Sequence, residues 1–422
     1  MDETLCAIKA YNFWDGPLNE GFIRQSYLDK INIYDSSRLV KVLVGQRRSG
    51  KSYILRQIAG RLISGGTSPR NTFFVNMDIL AFDFIHDYKD LERLFRLYLR
   101  EFQPKGRIYI FIDEVQNISQ WERFVNSYSQ DISGDYAIYL TGSNSKMLSG
   151  ELASMLSGRY VTINVYPLSY REYCDAGSRE YGRASYMQYL HESGMPEMLH
   201  LSDEEARANY VSALKDTILL RDIIQRYNIK DPRLLDDLFT YLVNNTSTLF
   251  SVNSLIKYFK GMGRKVSYDK VALYLSYMSD AYLIHRADRY NVRGKEQLAG
   301  LCKYYANDLC FSNYLFRGNQ HGIGYDLENA VYLQLRRMGY DVYVGDNGGL
   351  EVDFVARRRD RIVYLQVAYM LVDDKTISRE YASLESISDN YEKYVVSLDD
   401  YPLASRGGII NLPAWQLEDK LG

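Results

Sequence analysis

Residues 45–52 read Gly45-Gln46-Arg47-Arg48-Ser49-Gly50-Lys51-Ser52, matching the phosphate-loop pattern G-x-x-x-x-G-K-[ST]. The glycines let the backbone curl so that its N–H groups face phosphate oxygens. A helix starting near Lys51 adds the positive end of its dipole. Lys51 then places a point charge on the β- and γ-phosphates, and the Ser52 hydroxyl completes a magnesium shell. All eight residues are therefore candidate nucleotide contacts. The context agrees with the motif. RLVKVLV (38–44) precedes it as an apolar strand, and Lys51 to Ile63 follows with helical spacing.

Working outward, IYIFIDEVQ (108–116) carries Asp113 and Glu114 to the end of a buried strand. Behind a phosphate loop, Asp113 is the candidate magnesium carboxylate and Glu114 the candidate base that polarises the attacking water. The strand AIYLTGSNS (137–145) ends in small polar residues. Ser143, and after it Asn144, is the candidate contact to the γ-phosphate or the water. The alternative there is a capped turn before a helix near Lys146. Gly158-Arg159 stands just before a fifth strand, RYVTINV (159–165). A guanidinium at that place can stabilise transition-state charge in a neighbouring subunit, or simply form a surface ion pair.

The 422 residues are 46% apolar and 25% charged, an ordinary globular composition that excludes a mainly disordered chain. Lys plus Arg is 51 and Asp plus Glu is 53, so a global basic coat for nucleic acid is excluded, whereas a local patch is not. Cys6, Cys174, Cys302 and Cys310 lie far apart, which argues against a disulfide scaffold or a cysteine zinc site. No apolar run approaches about 18 residues, and MDETLCAIKA lacks a signal pattern. The expectation is a soluble cytoplasmic protein without a membrane partner. The 39 tyrosines are spread along the chain and answer to no one mechanism.

In the first half, strands at 38–44, 71–78, 107–113, 137–143 and 159–165 alternate with helical patterns, which predicts a mostly parallel sheet covered on both faces. After Tyr166-Pro167-Leu168 the pattern turns helical to about residue 245. Residues 252–315 follow the order helix, helix, hairpin, as a winged helix requires. A helix over 325–338 and strands at 340–345, 350–357 and 361–371 predict a second, small α/β domain.

GQRRSGKS, IFIDEVQ, LTGSNSKMLSGELASMLSGRY and VYPLSYREY in series resemble the bacterial and archaeal AAA+-type ATPases that carry a C-terminal domain of unknown function. RDIIQRYNI, YDLENAVYLQLRRMGYDVYVG, EVDFV and YLQVAYML resemble the second half of the same family. The likeness covers about Ser26 to Asp399. It implies an additional-strand ATPase sheet, with a strand inserted between the phosphate-loop strand and the acidic strand. It implies ATP and Mg2+ as ligands, Lys51 and Ser52 as their contacts, Asp113 as the magnesium carboxylate and Glu114 as catalytic base. Ser143 would be the sensor and Arg159 the finger. The expected division is an ATPase domain at 1–190, a helical and winged-helix region at 191–315, and a restriction-endonuclease-like α/β domain at 316–422.

The middle region offers Lys270, Tyr268, Tyr274 and Ser276 on its recognition helix and Arg286, Arg289, Arg293 and Lys295 on its wing, a set better suited to phosphates than to base edges. Glu328 on a helix, Glu351 and Asp353 on a strand and Gln366 on the next follow the order of a restriction-endonuclease core. There carboxylates hold magnesium and a lysine activates water. Here the second acidic position is Gln366, the lysine position is Ala368, and Lys375 lies beyond the strand, so nuclease activity is not expected. Arg357, Arg358, Arg359 and Arg361 form the densest local phosphate-contact candidate. The reading is a magnesium-dependent ATPase working as a conformational switch or motor. Its alternatives are a DNA-binding ATPase with a degenerate nuclease module, or a scaffold that binds nucleotide without turnover. A homo-oligomer and a protein client are the further expected partners.

Overall fold

Five short apolar runs in the first 165 residues build one parallel sheet. They are β1 (Val40–Val44), β2 (Thr72–Asn76), β3 (Ile108–Asp113), β4 (Tyr136–Gly142) and β5 (Tyr160–Asn164), in the order β2-β3-β4-β1-β5. The computed structural model describes residues 3–148, 156, 158–316 and 322–422. It divides into two units, Met1–Val165 and Tyr166–Gly422.

Every residue of β1 and β2 is buried, as strands covered on both faces must be. Each such Val, Leu or Phe contributes about 1.5–3 kcal/mol by leaving water. The helix Lys51–Ser64 packs Ile54, Leu55 and Ile58 onto one face beside Leu43, Phe74, Phe111 and Tyr139. Strand β4 lies between β3 and β1, with Lys41 opposite Tyr139 and Ile110 opposite Ile138. This is the inserted strand expected from the resemblance. It sets the end of β4 between the phosphate loop and the acidic pair. The chain is therefore an α/β protein with a P-loop NTPase sheet of the additional-strand type.

In the second unit, helices run from Tyr170–Ala176 to Pro232–Asn244. Two further helices, Val252–Gly261 and Tyr268–Asp280, lead to β6 (Ile284–Asn291) and β7 (Glu296–Ala306). A seven-stranded sheet follows the order β12-β11-β10-β9-β8-β6-β7. Its other members are β8 (Asp341–Asn347), β9 (Leu350–Arg358), β10 (Arg361–Val367), β11 (Glu392–Ser397) and β12 (Ile409–Pro413). The helix–helix–hairpin order is the expected one, but β6 also pairs in parallel with β8, so the hairpin is part of the large sheet. The expected boundary at residue 315 thus cuts a stretch that one sheet spans, and the one at 190 lies inside the second unit. Strands β11 and β12 have no counterpart among the sequence expectations.

Many of the tyrosines serve packing. Among the described residues, nine of the twelve largest fully buried side chains are tyrosines, among them Tyr98, Tyr340 and Tyr364. Their hydroxyls find Arg70 O at 2.7 Å, Leu421 O at 3.1 Å and Asp389 Oδ2 at 2.8 Å, which offsets the cost of burying them. Among the described residues no helix is long and apolar enough to cross a membrane.

Candidate functional site

The phosphate loop leaves β1 at its carboxyl end. A Cβ on Gly45 would lie 2.1 Å from Val165 O, so only glycine fits there. Gly50 has φ +97°, a conformation that favours glycine, and caps the helix Lys51–Ser64. Between them Ser49 N donates to Gln46 O at 3.2 Å. Arg48, exposed at the apex, also takes a positive φ (68°), and Arg47 pairs with Asp78 at 3.2 Å.

Lys51 is buried and turned into the loop. Its ammonium donates to Gly45 O and Gln46 O, both at 2.9 Å, and lies 3.9 Å from Glu114 Oε1. Asp113 ends β3 beside it, fully buried. Thr141 donates to Asp113 and Ser52 and Lys51 favour its charged form, yet burial first, and then the Glu114 carboxylate, push its pKa up to about 6. Asp113 Oδ2 is buried with no hydrogen-bond partner among the described residues, and Ser49 Oγ shares that condition. A buried carboxylate oxygen and a buried hydroxyl left unpaired beside a lysine fit a hydrated divalent cation and an anion. The donor set thus suits Mg2+ with a polyphosphate.

Glu114 has φ +54°, which a non-glycine residue adopts only at a cost. Its N–H donates to Thr141 Oγ1 at 2.8 Å, which holds that conformation. Gln116 Nε2 donates to Glu114 Oε2 and lies 3.5 Å from Ser143 Oγ. Lys51, Ser52, Asp113 and Glu114 thus lie together, with Ser143 beside Gln116. The Asn144 side chain accepts from Lys146 N at 2.9 Å and so caps the turn Ser145–Leu148, the alternative reading of this segment. The helix expected from Lys146 is a single 3-10 turn over its described part.

Arg159 does not join them. It precedes β5, whose Tyr160 sits opposite Val40 at the start of β1, whereas the loop leaves after Val44. Five residues of strand, roughly 16 Å, separate the two ends. Arg159 is exposed.

Three contributors do not stand out in the sequence: Thr141, Gln116 and Arg24. Arg24 is buried, donates to Ser49 O at 2.9 Å and stacks over Tyr27 at 4.4 Å, bracing the loop from behind. Thr141 is legible in principle, because it stands two residues before Ser143 on one strand face.

The DNA-contact candidates of the second unit are largely engaged within it. Arg286 pairs with Asp288, Arg289 with Asp346, and Lys270 with Asp231. Arg293 donates to Asn347 and Lys295 lies over Tyr391. Tyr274 is buried, whereas Tyr268 is about half exposed and Ser276 hydrogen-bonds Leu273 O. In the arginine turn, Arg357 lies over Tyr290, Arg358 donates to Met338 O and Arg361 pairs with Glu392, whereas Arg359 is exposed at the apex.

Comparison with known proteins bears on the fold and the family. An AAA domain profile matches residues 37–174, and a domain of unknown function matches residues 183–321. The latter covers the helical and hairpin region together with the junction to the last segment, rather than the last hundred residues. An uncharacterised protein of Haemophilus influenzae is 32% identical over 402 residues, covering 94% of this chain and 98% of that protein. An uncharacterised protein of Methanocaldococcus jannaschii is 28% identical over 356 residues, covering 79% and 75%. Among solved structures, the Walker-type ATPase of Pyrococcus abyssi has a TM-score of 0.48 at 16% identity, over 70% of this chain and 95% of that one. The Holliday junction branch migration motor of Thermotoga maritima has a TM-score of 0.33 at 16% identity, over 63% and 90%. Those two likenesses are slight and concern the fold alone. With the phosphate loop, the inserted strand and a full-length relative established, the chain belongs to the family of bacterial and archaeal AAA-type P-loop ATPases that carry a domain of unknown function in their C-terminal half.

Proposed function

We propose that this chain binds ATP with Mg2+ and hydrolyses it to ADP and phosphate, serving as a conformational switch or motor. The observation that carries the reading is the meeting of Lys51, Ser52, Asp113 and Glu114 at the carboxyl ends of β1 and β3. The loop amides from Gln46 to Ser52 cradle the phosphates. Lys51 exchanges the Gly45 and Gln46 carbonyls for β- and γ-phosphate oxygens. Ser52 and Asp113 would hold Mg2+, which when bound supplies positive charge to the phosphate oxygens. Glu114 accepts a proton from the attacking water as its oxygen bonds to the γ-phosphorus and the bond to the ADP oxygen breaks. Gln116 orients Glu114, and Ser143 stands where the water or γ-phosphate would be contacted.

Arg159 belongs to this proposal only as a residue supplied to a neighbouring copy. In that role turnover per chain rises with protein concentration and collapses in Arg159→Ala. The DNA-binding alternative draws less support, since most of its basic residues are matched by partners of their own unit. The deciding experiment is phosphate release from Mg-ATP, with and without duplex and single-stranded DNA, with Glu114→Gln as the blank. Turnover lost in the variant supports the ATPase. A severalfold rise with DNA would favour the DNA-linked alternative. ATP binding with no release above the blank would favour a scaffold.

A further inference from the structure

The second unit contains a buried charge cluster that the ATPase reading does not use. Lys303 on β7 has a side chain only 3% exposed. Its ammonium lies 2.9 Å from Glu328 Oε1, 2.7 Å from Glu351 Oε1 and 4.0 Å from Asp353 Oδ1. Glu328 comes from the helix Ile323–Arg337 and the other two acids from β9. Glu328 Oε1 also accepts from Tyr305 at 2.7 Å, and Asp353 Oδ2 from Val367 N at 2.8 Å. Gln366 Oε1 accepts from Ser383 at 3.1 Å and faces Asp353 N at 3.4 Å.

Glu328 and Asp353 hold the helix and strand places of the acids that a restriction-endonuclease-like core would turn toward magnesium, and Glu351 shares the face of β9 with Asp353. We propose that the Lys303 ammonium is the resident cation of this cluster, standing in place of a divalent metal, so that the wild-type chain holds no metal there.

The geometry argues for it in three ways. A divalent cation takes carboxylate oxygens at about 2.0–2.6 Å, and the space facing Glu328 and Glu351 is filled by the ammonium. A second cation beside a buried ammonium would meet strong repulsion in a poorly solvated site. The remaining residues of the expected metal set are neutral or absent: Gln366 is an amide engaged with Ser383, Ala368 is buried, and Lys375 is exposed at the start of the helix Asp374–Glu385. The buried ammonium is itself held charged. The three carboxylates keep Lys303 protonated against the effect of its burial, while burial raises Asp353 and Glu328 above the usual carboxylate range. Glu351, 39% exposed, forms the open side of the cluster.

The test uses the full nucleotide-free chain and Mn2+ followed by its electron-paramagnetic signal. Wild type is expected to show no site that Asp353→Asn removes. Lys303→Met is expected to gain one Mn2+ per chain, at least tenfold tighter than any wild-type binding, and to lose it when Asp353→Asn is added. Millimolar Mn2+ is expected to raise the melting temperature of Lys303→Met and leave that of wild type unchanged. A wild-type Mn2+ site abolished by Asp353→Asn would overturn the proposal, since metal and ammonium would then coexist. So would a folded Lys303→Met chain without the new site, or one that stays unfolded even in millimolar Mn2+.

Discussion

Thr141 and Asp113 are joined by a hydrogen bond from the threonine hydroxyl to the carboxylate, and the same hydroxyl accepts the Glu114 N–H at 2.8 Å. One oxygen on the inserted strand therefore fixes both members of the acidic pair. Valine has the same shape and no hydroxyl. Thr141→Val leaves a buried N–H and a buried carboxylate oxygen short of a partner, at a cost of about 1–3 kcal/mol. Urea unfolding of the two chains measures it, and an unchanged midpoint would contradict the assignment.

Lys51→Met removes the buried charge proposed to face the phosphates while keeping roughly the length of the side chain. ATP affinity is expected to fall about 100-fold, because charge-assisted contacts to phosphate are lost. The helix should persist, since Lys51 is its first residue and donates to the loop carbonyls Gly45 O and Gln46 O. Fluorescent-nucleotide titration and circular dichroism together separate loss of binding from loss of fold.

Glu114→Gln is expected to keep ATP affinity within about threefold and to lower turnover by about 10²–10⁴-fold, the range for removing a general base. Gln116→Ala should show a weaker version of the same pattern, about tenfold, because it acts through the orientation of Glu114. Single-turnover phosphate release reads both. Equal losses in affinity and turnover would place Glu114 in binding instead.

Leu140 is fully buried on β4 between β3 and β1. Leu140→Ala removes packing on the strand that spaces the two halves of the site. A loss of about 2–5 kcal/mol is expected. A loss below about 1 kcal/mol would mean that the sheet collapses around the vacancy.

His285 carries a pH prediction. Its Nε2 lies 2.6 Å from Asn307 Oδ1, the rings of Tyr166 and Tyr332 flank it, and Arg336 and Arg337 approach it. Burial first, then the two guanidiniums, bring its pKa down to about 4 against the favourable bond to Asn307. In the unfolded chain the ring titrates near 6.5, so as pH falls the unfolded state takes the proton first. The stability that depends on neutral His285 is whole above about pH 6.5 and drains away down to about pH 4, on the order of 3 kcal/mol in all. Melting temperatures between pH 7 and 4.5 should fall less steeply in His285→Gln than in wild type. Parallel slopes would contradict this.

Much of the nucleotide-binding half is legible in the residue pattern. β1, β2, β3 and β4 lie within one or two residues of the apolar runs that announce them, because strands buried on both faces read as near-continuous apolar runs. Lys51, Ser52, Asp113 and Glu114 are legible because a phosphate loop and a strand-end acid are local patterns. The second half is harder to read. The hairpin β6–β7 has the sequence of a free wing, but only its pairing with β8 puts it in the large sheet. Charge counting marks Arg286, Arg289 and Arg361 as free for phosphate. Their carboxylate partners come from two residues away in the case of Asp288, and from 57 and 31 residues away in the cases of Asp346 and Glu392.

The sequence by itself determined the phosphate loop, the alternation that makes the sheet parallel, and the helix that begins at Lys51. These depend on residues within a turn or a strand of one another, where spacing alone dictates geometry. Tertiary structure decided which strand separates the loop from the acids. It also decided that Thr141 and Gln116 hold Glu114, and that Lys303 rather than Lys375 reaches Glu328 and Glu351. Those pairings join segments up to 98 residues apart, as Lys41 lies opposite Tyr139, and a buried charge has no signature until the groups that neutralise it are brought beside it.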